Sequence, residues 1–412
     1  MTPRDAPPLR DPETELAADE LTTPRGLLWR ARARYPDLYR HGRVHVAAGR
    51  QWQPPDLARV TREPRAAALA PERWLVLDVE TTGLGARAGT YAFLVGLGWW
   101  EAGAFVVEQL LMRDPSDEPA LLCAVAERFT GYDGLVTFNG KSFDAPLLAT
   151  RFAMSRQAAP HAGLVHCDML HAARRVTTRT ERGGSRLAAL EKHWLGVRRH
   201  ADIAGCDVPE VYMDYLRTGS AAVLDSVLRH NRIDILSLAL LTAEIARFLP
   251  RTLAALADPD GAPAERLAVA RIFDAAGERG AAESLYEACL TRAASVAVRR
   301  GARQSLASSR KRRGDLLGAC ALWERMLEDE PDLVEPCEEL AKVLEHRLAA
   351  PGRALERVAA RLEGGGLGTE EREQLLHRRR RLERKVGNLR RPPLETPAAE
   401  GAPGRAVSQP CS

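Results

Sequence analysis

The sequence predicts an α/β domain built on a mixed central sheet, followed by an all-helical domain of repeated helix pairs. Three observations carry that expectation. Short apolar runs bounded by turn residues cluster early in the chain, at WLVLDVE, YAFLVGLGWW and AFVVEQLLM. Helix-like and strand-like stretches then alternate as far as Pro250. Beyond Asp258-Pro259-Asp260-Gly261 the pattern is helical throughout and repeats itself. A length of 412 residues leaves room for two or three cores.

Residues 1–70 read as a partly ordered N-terminal extension, because Pro7, Pro8, Pro12, Pro24, Pro54 and Pro55 interrupt any long element. One amphipathic stretch there, Arg25 to Tyr39, is expected as a short helix. The α/β domain is set at residues 71–250. It opens with the strand WLVLDVE from Trp74, then two strands joined at Glu101-Ala102-Gly103. Asp117 to Phe129 is a helical pattern with a Ser116/Asp117 cap. GLVTF at 134–138 is a buried strand, followed by a polar turn and the helix Ala145 to Met154. Helices are expected at Ser185–Leu195, stopped by Gly196, at Pro209–Leu216, and at Ala221–Leu249, ended by Pro250.

The helical domain is set at residues 262–365. Gly277, Ala282, Leu285, Tyr286, Glu287 and Leu290 recur 37 positions later as Gly314, Ala319, Leu322, Trp323, Glu324 and Leu327. A weaker third unit runs from Leu340 to Leu362. Helix pairs at this period resemble tetratricopeptide repeats, whose units stack because none buries its apolar face alone. An unrelated helical bundle is the alternative. Residues 366–412 form a basic segment and a tail. Arg372 to Arg391 holds nine basic and two acidic residues, which suits a nucleic-acid arm and a solvated charged helix equally. The proline-rich tail from Pro392 is expected to be disordered.

Composition excludes several classes and selects none. Apolar residues make up 45% and charged residues 28%, a globular profile. The start, MTPRDAPPLRDPETE, lacks an apolar signal core, and the longest apolar stretch, Tyr91 to Val107, is broken by three glycines and Glu101. Neither export nor a membrane span is expected. Seven cysteines without a CxxC pair point to reduced thiols in a cytoplasm. A net charge of +4 does not argue for nucleic-acid binding by itself. Arginine outnumbers lysine 54 to 5, which biased codon usage explains more simply than phosphate binding.

The chemistry lies in acids. Asp78 and Glu80, two apart at the end of an apolar strand, share one face of it. Two buried like charges are costly unless a cation offsets them, so a divalent metal site accounts for the pair, while strand-end acids pointing to solvent account for it more plainly. Asp144 in TFNGKSFDAPLL begins a helix, where it is either functional or an N-cap. Asp234 follows His230 by four residues in RHNRIDILSLALL, placing both on one helix face beside apolar neighbours. Each signal is weak alone; the ordered set of three is what carries information.

That set resembles the DEDD exonuclease superfamily, which has a ribonuclease H-like fold. DVETTGL, NGKSFDAPLL and HNRID look like its first, second and third exonuclease motifs. The resemblance is closer to the YprB-like branch, through GTYAFLVGLG (89–98), HCDMLHAARR (166–175), ADIAGCDVPEVYMDYLRTG (201–219), HNRIDILSLALL (230–241) and the leader TPRGLLWRARARYPDLYRHG (23–42). It covers about residues 23–250, and the helical repeats fit the same family's C-terminal extension. By resemblance, Asp78, Glu80, Asp144 and Asp234 hold two divalent ions, with Asp78 bridging. Oxygen-only ligands select Mg²⁺ or Mn²⁺, and two such ions serve phosphodiester hydrolysis. His230 is the expected general base, although a histidine stands here at the spacing usual for the tyrosine-type members.

Other residues fill supporting roles. Asp168 is either an additional acid near the metals or a cap for MLHAARR. Asn139 is expected to hold its turn or touch substrate, and Thr81, Thr82 and Gly83 to meet the scissile nucleotide through backbone groups. The span 74–250 carries 18 basic and 20 acidic residues, so phosphate contacts must be local. The stretch 168–199 is the expected place, with Arg174, Arg175, Arg179, Arg182, Arg186, Lys192, Arg198 and Arg199 against three acids; a solvated loop is its plain alternative. The leading expectation is a metal-dependent 3′→5′ exonuclease on single-stranded DNA or RNA. The alternatives are an endonuclease of RNA–DNA hybrids and a non-catalytic adaptor whose repeats bind a protein partner.

Overall fold

The apolar runs read above become the middle of one sheet. A computed structural model describes residues 18–83, 89–177, 184, 186–200, 202–255, 263–292 and 295–389. Nine strands occur among them: β1 (Ala18–Thr23), β2 (Gly26–Pro36), β3 (Arg40–His41), β4 (Val44–His45), β5 (Trp74–Thr81), β6 (Ala92–Glu101), β7 (Ala104–Leu111), β8 (Gly134–Thr137) and β9 (Val165–Asp168). Seven of them form a mixed sheet in the order β1-β2-β7-β6-β5-β8-β9. The β5–β8 and β8–β9 pairs are parallel and the rest are antiparallel. β5 is therefore the seam between the two halves.

Period-two alternation assigns the faces of β5. Leu75, Leu77 and Val79 enter one core with Val95, Leu97, Val106 and Leu110 from the neighbouring strands. That face is covered by helix α2 (Glu118–Phe129), through Leu121, Leu122 and Val125, and by helix α3 (Asp144–Met154), through Leu147, Leu148 and Phe152. Asp78 and Glu80 point to the opposite face. The long helix Asp225–Ala255 packs there on β5, β6 and β7. Beside it, Tyr212 of the helix Val208–Thr218 stacks on Phe93 with ring centroids 3.9 Å apart.

Three local expectations change. Arg25 to Tyr39 is not a helix: residues 26–36 form β2, paired along β7 from Trp29↔Leu111 to Pro36↔Ala104. Apolar spacing at Leu28, Ala31 and Tyr35 imitates a helix, but the alternating arginines decide it. Arg30, Arg32 and Arg34 pair with Asp19, Glu108 and Glu101 of β1, β7 and β6. Asp117 does not cap its helix; its carboxylate accepts from Arg113 instead. Pro250 does not end the long helix, which continues to Ala255. Proline removes the donor that would serve the Ala246 carbonyl, yet the helix runs past it, and Arg251 donates along the same helix to the carbonyls of Arg247 and Glu244.

Two compact units divide between Arg299 and Arg300. The first unit includes the helices Pro263–Ala276 and Arg279–Arg292, which the sequence groups with the repeats. Pro263–Ala276 packs on helix α1 (Pro54–Thr61), on Met169–Val176 and on the long helix, and Arg59 Nε donates to Glu278 at 2.7 Å. In the second unit, helices follow at Val334–His346, Pro351–Glu363 and Thr369–Leu389, around a core that includes Trp323, Leu340, Leu344 and Val358. The 37-residue offset is visible in the turns. Gly277 and Gly314 sit at φ 83° and 86°, and their turns share one bonding pattern, Glu278 N to Phe273 O and Asp315 N to Arg310 O. The tail from Pro392 and residues Arg179, Arg182 and Ser185 lie outside the described residues. No helix among the described residues is long and apolar enough to cross a membrane.

Cutting the chain after residue 294 should leave a cooperatively folding protein. Cutting it after Leu249 should lower the thermal midpoint sharply, because Leu267, Val269, Ile272 and Phe273, all buried, are then lost. Burial of each is worth about 1.5–3 kcal/mol. Calorimetry of the two truncated chains checks this; equal midpoints would return the boundary to Pro250.

Candidate active site

Asp78, Gly96 and Gln109 lie side by side on β5, β6 and β7, through the pairs Asp78↔Gly96 and Gly96↔Gln109. The missing side chain in the middle of that row admits Asn231 from the long helix. A Cβ on Gly96 would stand 2.2 Å from Asn231 Oδ1, and one on Gly98 would stand 2.5 Å from Ile235 Cγ2. Asn231 Nδ2 donates to Asp78 Oδ2 at 2.8 Å, while its Oδ1 accepts from Gln109 Nε2 at 2.9 Å. The helix is thus registered on the sheet at the residue between His230 and the pair Arg232–Ile233, and Asp234 arrives one turn on.

Asp144 is brought in from the other side of the seam. β8 ends at Thr137, Asn139 takes φ 65°, and helix α3 starts at Asp144 without a side-chain cap. A Cβ on Gly140 would lie 2.5 Å from Thr137 Cβ and 2.8 Å from Asp144 Oδ2, so only glycine fits the turn. Asp144 is therefore the first helical residue and not an N-cap. Asp168 braces the same turn. Its carboxylate accepts from the backbone N–H groups of Asn139 at 2.8 Å, Lys141 at 3.2 Å and Leu170 at 3.1 Å.

The four acids feel one another. Burial raises Asp78 well above the ordinary carboxylate range, and the charges of Asp234 and Asp144 raise it further, against His230 and Asn231. Glu80 is raised by burial and then by Asp78, Asp234 and Asp144. Burial pushes Asp144 up to about 7, with Asp168 adding to it. Asp234 is raised by burial against Arg199 and His230. Such mutually repelling, desolvated carboxylates are an electrostatic debt that a cation settles.

Part of that cation is internal. The Arg199 guanidinium pairs with Asp234, with Glu191 at 2.5 Å and with Asp202 at 2.9 Å. His230 lies between two carboxylates, its Nδ1 3.0 Å from Asp202 Oδ1 and its Nε2 3.7 Å from Asp234 Oδ2. Burial alone would raise Asp202, but Arg199 and His230 outweigh it and hold the carboxyl below its ordinary value. Arg199 was legible only as one of eight basic residues, and Asp202, Glu191, Asn231 and Gln109 not at all as members of the site. The interior glycines of β6 were the available signal, since glycine within a strand marks a close approach.

Several side chains at the expected substrate contacts have partners within the protein. Thr81 Oγ1 donates to Gly83 O, and Thr82 Oγ1 accepts from Tyr91 N, so both hydroxyls hold the strand end. Arg175 Nη1 donates to the carbonyls of Val60 and Thr61 at the end of α1. Arg174 is exposed on the same helix.

The donor set, four carboxylates and no sulfur, has the chemistry of a site for a hard divalent ion. Among the described residues no group of three or more His, Cys, Asp or Glu closes around a single ion. The site's chemistry fits a metal; two of its carboxylates have partners within the protein, Asp78 in Asn231 and Asp234 in Arg199.

Sheet order, seam and acid placement define a ribonuclease H-like domain, and residues 75–246 match the RNase_H superfamily. YprB of Bacillus subtilis (strain 168), described as uncharacterized, is 31% identical over 318 residues, spanning 76% of this chain and 74% of that one. The chain belongs to the YprB family. A family B DNA polymerase from Pyrobaculum calidifontis is similar with a TM-score of 0.36 and 14% identity over 54% of this chain and 29% of the polymerase.

Two measurements test this geometry. Gly96→Ala should cost about 1–3 kcal/mol of stability, the usual penalty of overpacking, visible as a lower denaturant midpoint; an unchanged midpoint would mean Asn231 is not held in the gap. For Asp144 the sign follows from its raised value. Its contribution to stability is fully present below about pH 4 and lost as pH rises through about 7. Asp144→Asn should therefore raise the melting midpoint in EDTA by about 5 °C at pH 8 and hardly change it at pH 4. Equal effects at both pH values would contradict the shift.

Proposed function

We propose that the chain is a two-metal 3′→5′ exonuclease acting on single-stranded nucleic acid. The observation that supports this most is the convergence of Asp78, Glu80, Asp144 and Asp234 from three separate segments, each carboxyl lifted by burial and by its neighbours or by Asp168. On this reading Asp78, Glu80, Asp144 and Asp234 hold Mg²⁺ or Mn²⁺. Two bound ions supply charge neutralisation for the scissile phosphate and acidify the attacking water.

The protein's own groups do the rest. Asp202 accepts the Nδ1 proton of His230, which leaves Nε2 as the acceptor on the side of Asp234. His230 is then oriented to take the proton of the attacking water as general base. Asp202 thereby supplies an orientation that histidine at the tyrosine-type spacing would otherwise lack. Exposed Arg174 is assigned to the phosphate backbone. On the same reading the helical part is tetratricopeptide-like and takes a protein partner; the offset turns at Gly277 and Gly314 agree with the repeat period alone.

Purified protein with Mn²⁺ should shorten 3′-single-stranded, 5′-labelled oligonucleotides in single-nucleotide steps, and Asp78→Ala should abolish it. Uniform internal cuts in an RNA–DNA hybrid would favour the endonuclease, and no cleavage of DNA, RNA or hybrid would favour the adaptor. His230→Gln should slow the chemical step by about 10²–10⁴-fold, with His230→Tyr recovering part of the rate. Wild-type activity in His230→Gln would make the residue structural.

A further inference from the structure

Arg199 holds three carboxylates with unequal grip. Glu191 is fully buried on the π-helical turn Glu191–Leu195 and takes a two-pronged contact, from Arg199 Nε at 2.8 Å and Nη2 at 2.5 Å. Asp202 takes Nη1 at 2.9 Å. Asp234 shares only Nη2, which Glu191 also engages. Of the four contacts to carboxylates, three survive if Asp234 turns away. The arginine lies in the irregular stretch after Gly196, which leaves the helix in the left-handed conformation at φ 70°. Its side chain is only 9% exposed, so water does little to screen the pair.

We propose that Arg199 is an internal counter-cation for Asp234 that a divalent ion must displace before Asp234 can serve as a ligand. This rests on the reading of Asp234 as a metal ligand. A guanidinium does not lose its proton in proteins, so pH does not release Asp234; competition by another cation does. The anchor to Glu191 keeps the arginine nearby once displaced. Metal-free protein therefore keeps its acidic cluster folded, and metal affinity is set partly by the strength of the Arg199–Asp234 pair.

The test is Mn²⁺ binding by calorimetry and thermal unfolding in EDTA, on the full chain. Arg199→Gln should bind Mn²⁺ about tenfold more tightly, a gain of about 1.4 kcal/mol, and should melt at lower temperature without metal. Glu191→Gln should do the opposite to affinity, because Arg199 then turns its charge on Asp234, weakening Mn²⁺ several-fold. The second variant decides the matter if the first does not fold. Mn²⁺ binding that is weakened or unchanged in folded Arg199→Gln overturns the proposal, since Arg199 would then be orienting Asp234 for the metal. So does unchanged or tighter binding in Glu191→Gln. Asp78→Ala separates the two levels: if wild type shows no Mn²⁺ binding that Asp78→Ala removes, the metal reading itself fails and takes this proposal with it.

Discussion

Everything at the site depends on how closely one helix can approach one strand. The helix Asp225–Ala255 lies on the sheet where β6 offers Gly96 and Gly98, and Asn231 fills the space the first of these leaves. That single side chain bonds sideways to Asp78 and to Gln109, so the two strands flanking β6 and the helix above it share one hydrogen-bonded joint. A buried amide with both ends satisfied specifies register in a way apolar packing does not. Sliding the helix by one residue would leave Asn231 unpaired and carry His230 and Asp234 away from Asp78.

The sheet explains why the acids meet at that point. β5 is the seam between an antiparallel neighbour and a parallel one. The parallel neighbour β8 runs in the same direction, so the turn that follows it emerges beside the end of β5 and delivers Asp144 there. Asp168, at the end of β9, braces that turn through backbone donors. Acids that are cheap to place on a strand end become expensive once a helix covers them. Arg199, Asp202 and His230 form the polar layer that makes the arrangement tolerable.

The same charge balance recurs where β2 pairs with β7. Glu108 is almost fully buried yet is paired by Arg32 and Arg128, and both guanidinium groups lie against the Trp99 ring. Arginine-rich composition, which says nothing by itself, is spent here on pairing and stacking at the sheet. Much of the chain's arginine excess is structural in this sense, as Arg175 and Arg151 also show.

The sequence by itself determined the period-two strands around Asp78, the acids at their ends, the His230–Asp234 helix face and the 37-residue recurrence, because each is a local pattern with a fixed geometric consequence. It misread Arg25 to Tyr39, where apolar spacing suited a helix and only partners on other strands could reveal that the alternating arginines mattered. It also ended the long helix at Pro250, where the helix in fact runs on to Ala255. Tertiary structure alone decided which acids share a site with which cations. Asn231 against Gly96, Arg199 against Asp234 and Asp202 against His230 join residues 28 to 135 positions apart in sequence, and such pairings follow from the packing of helix on sheet, which periodicity does not contain.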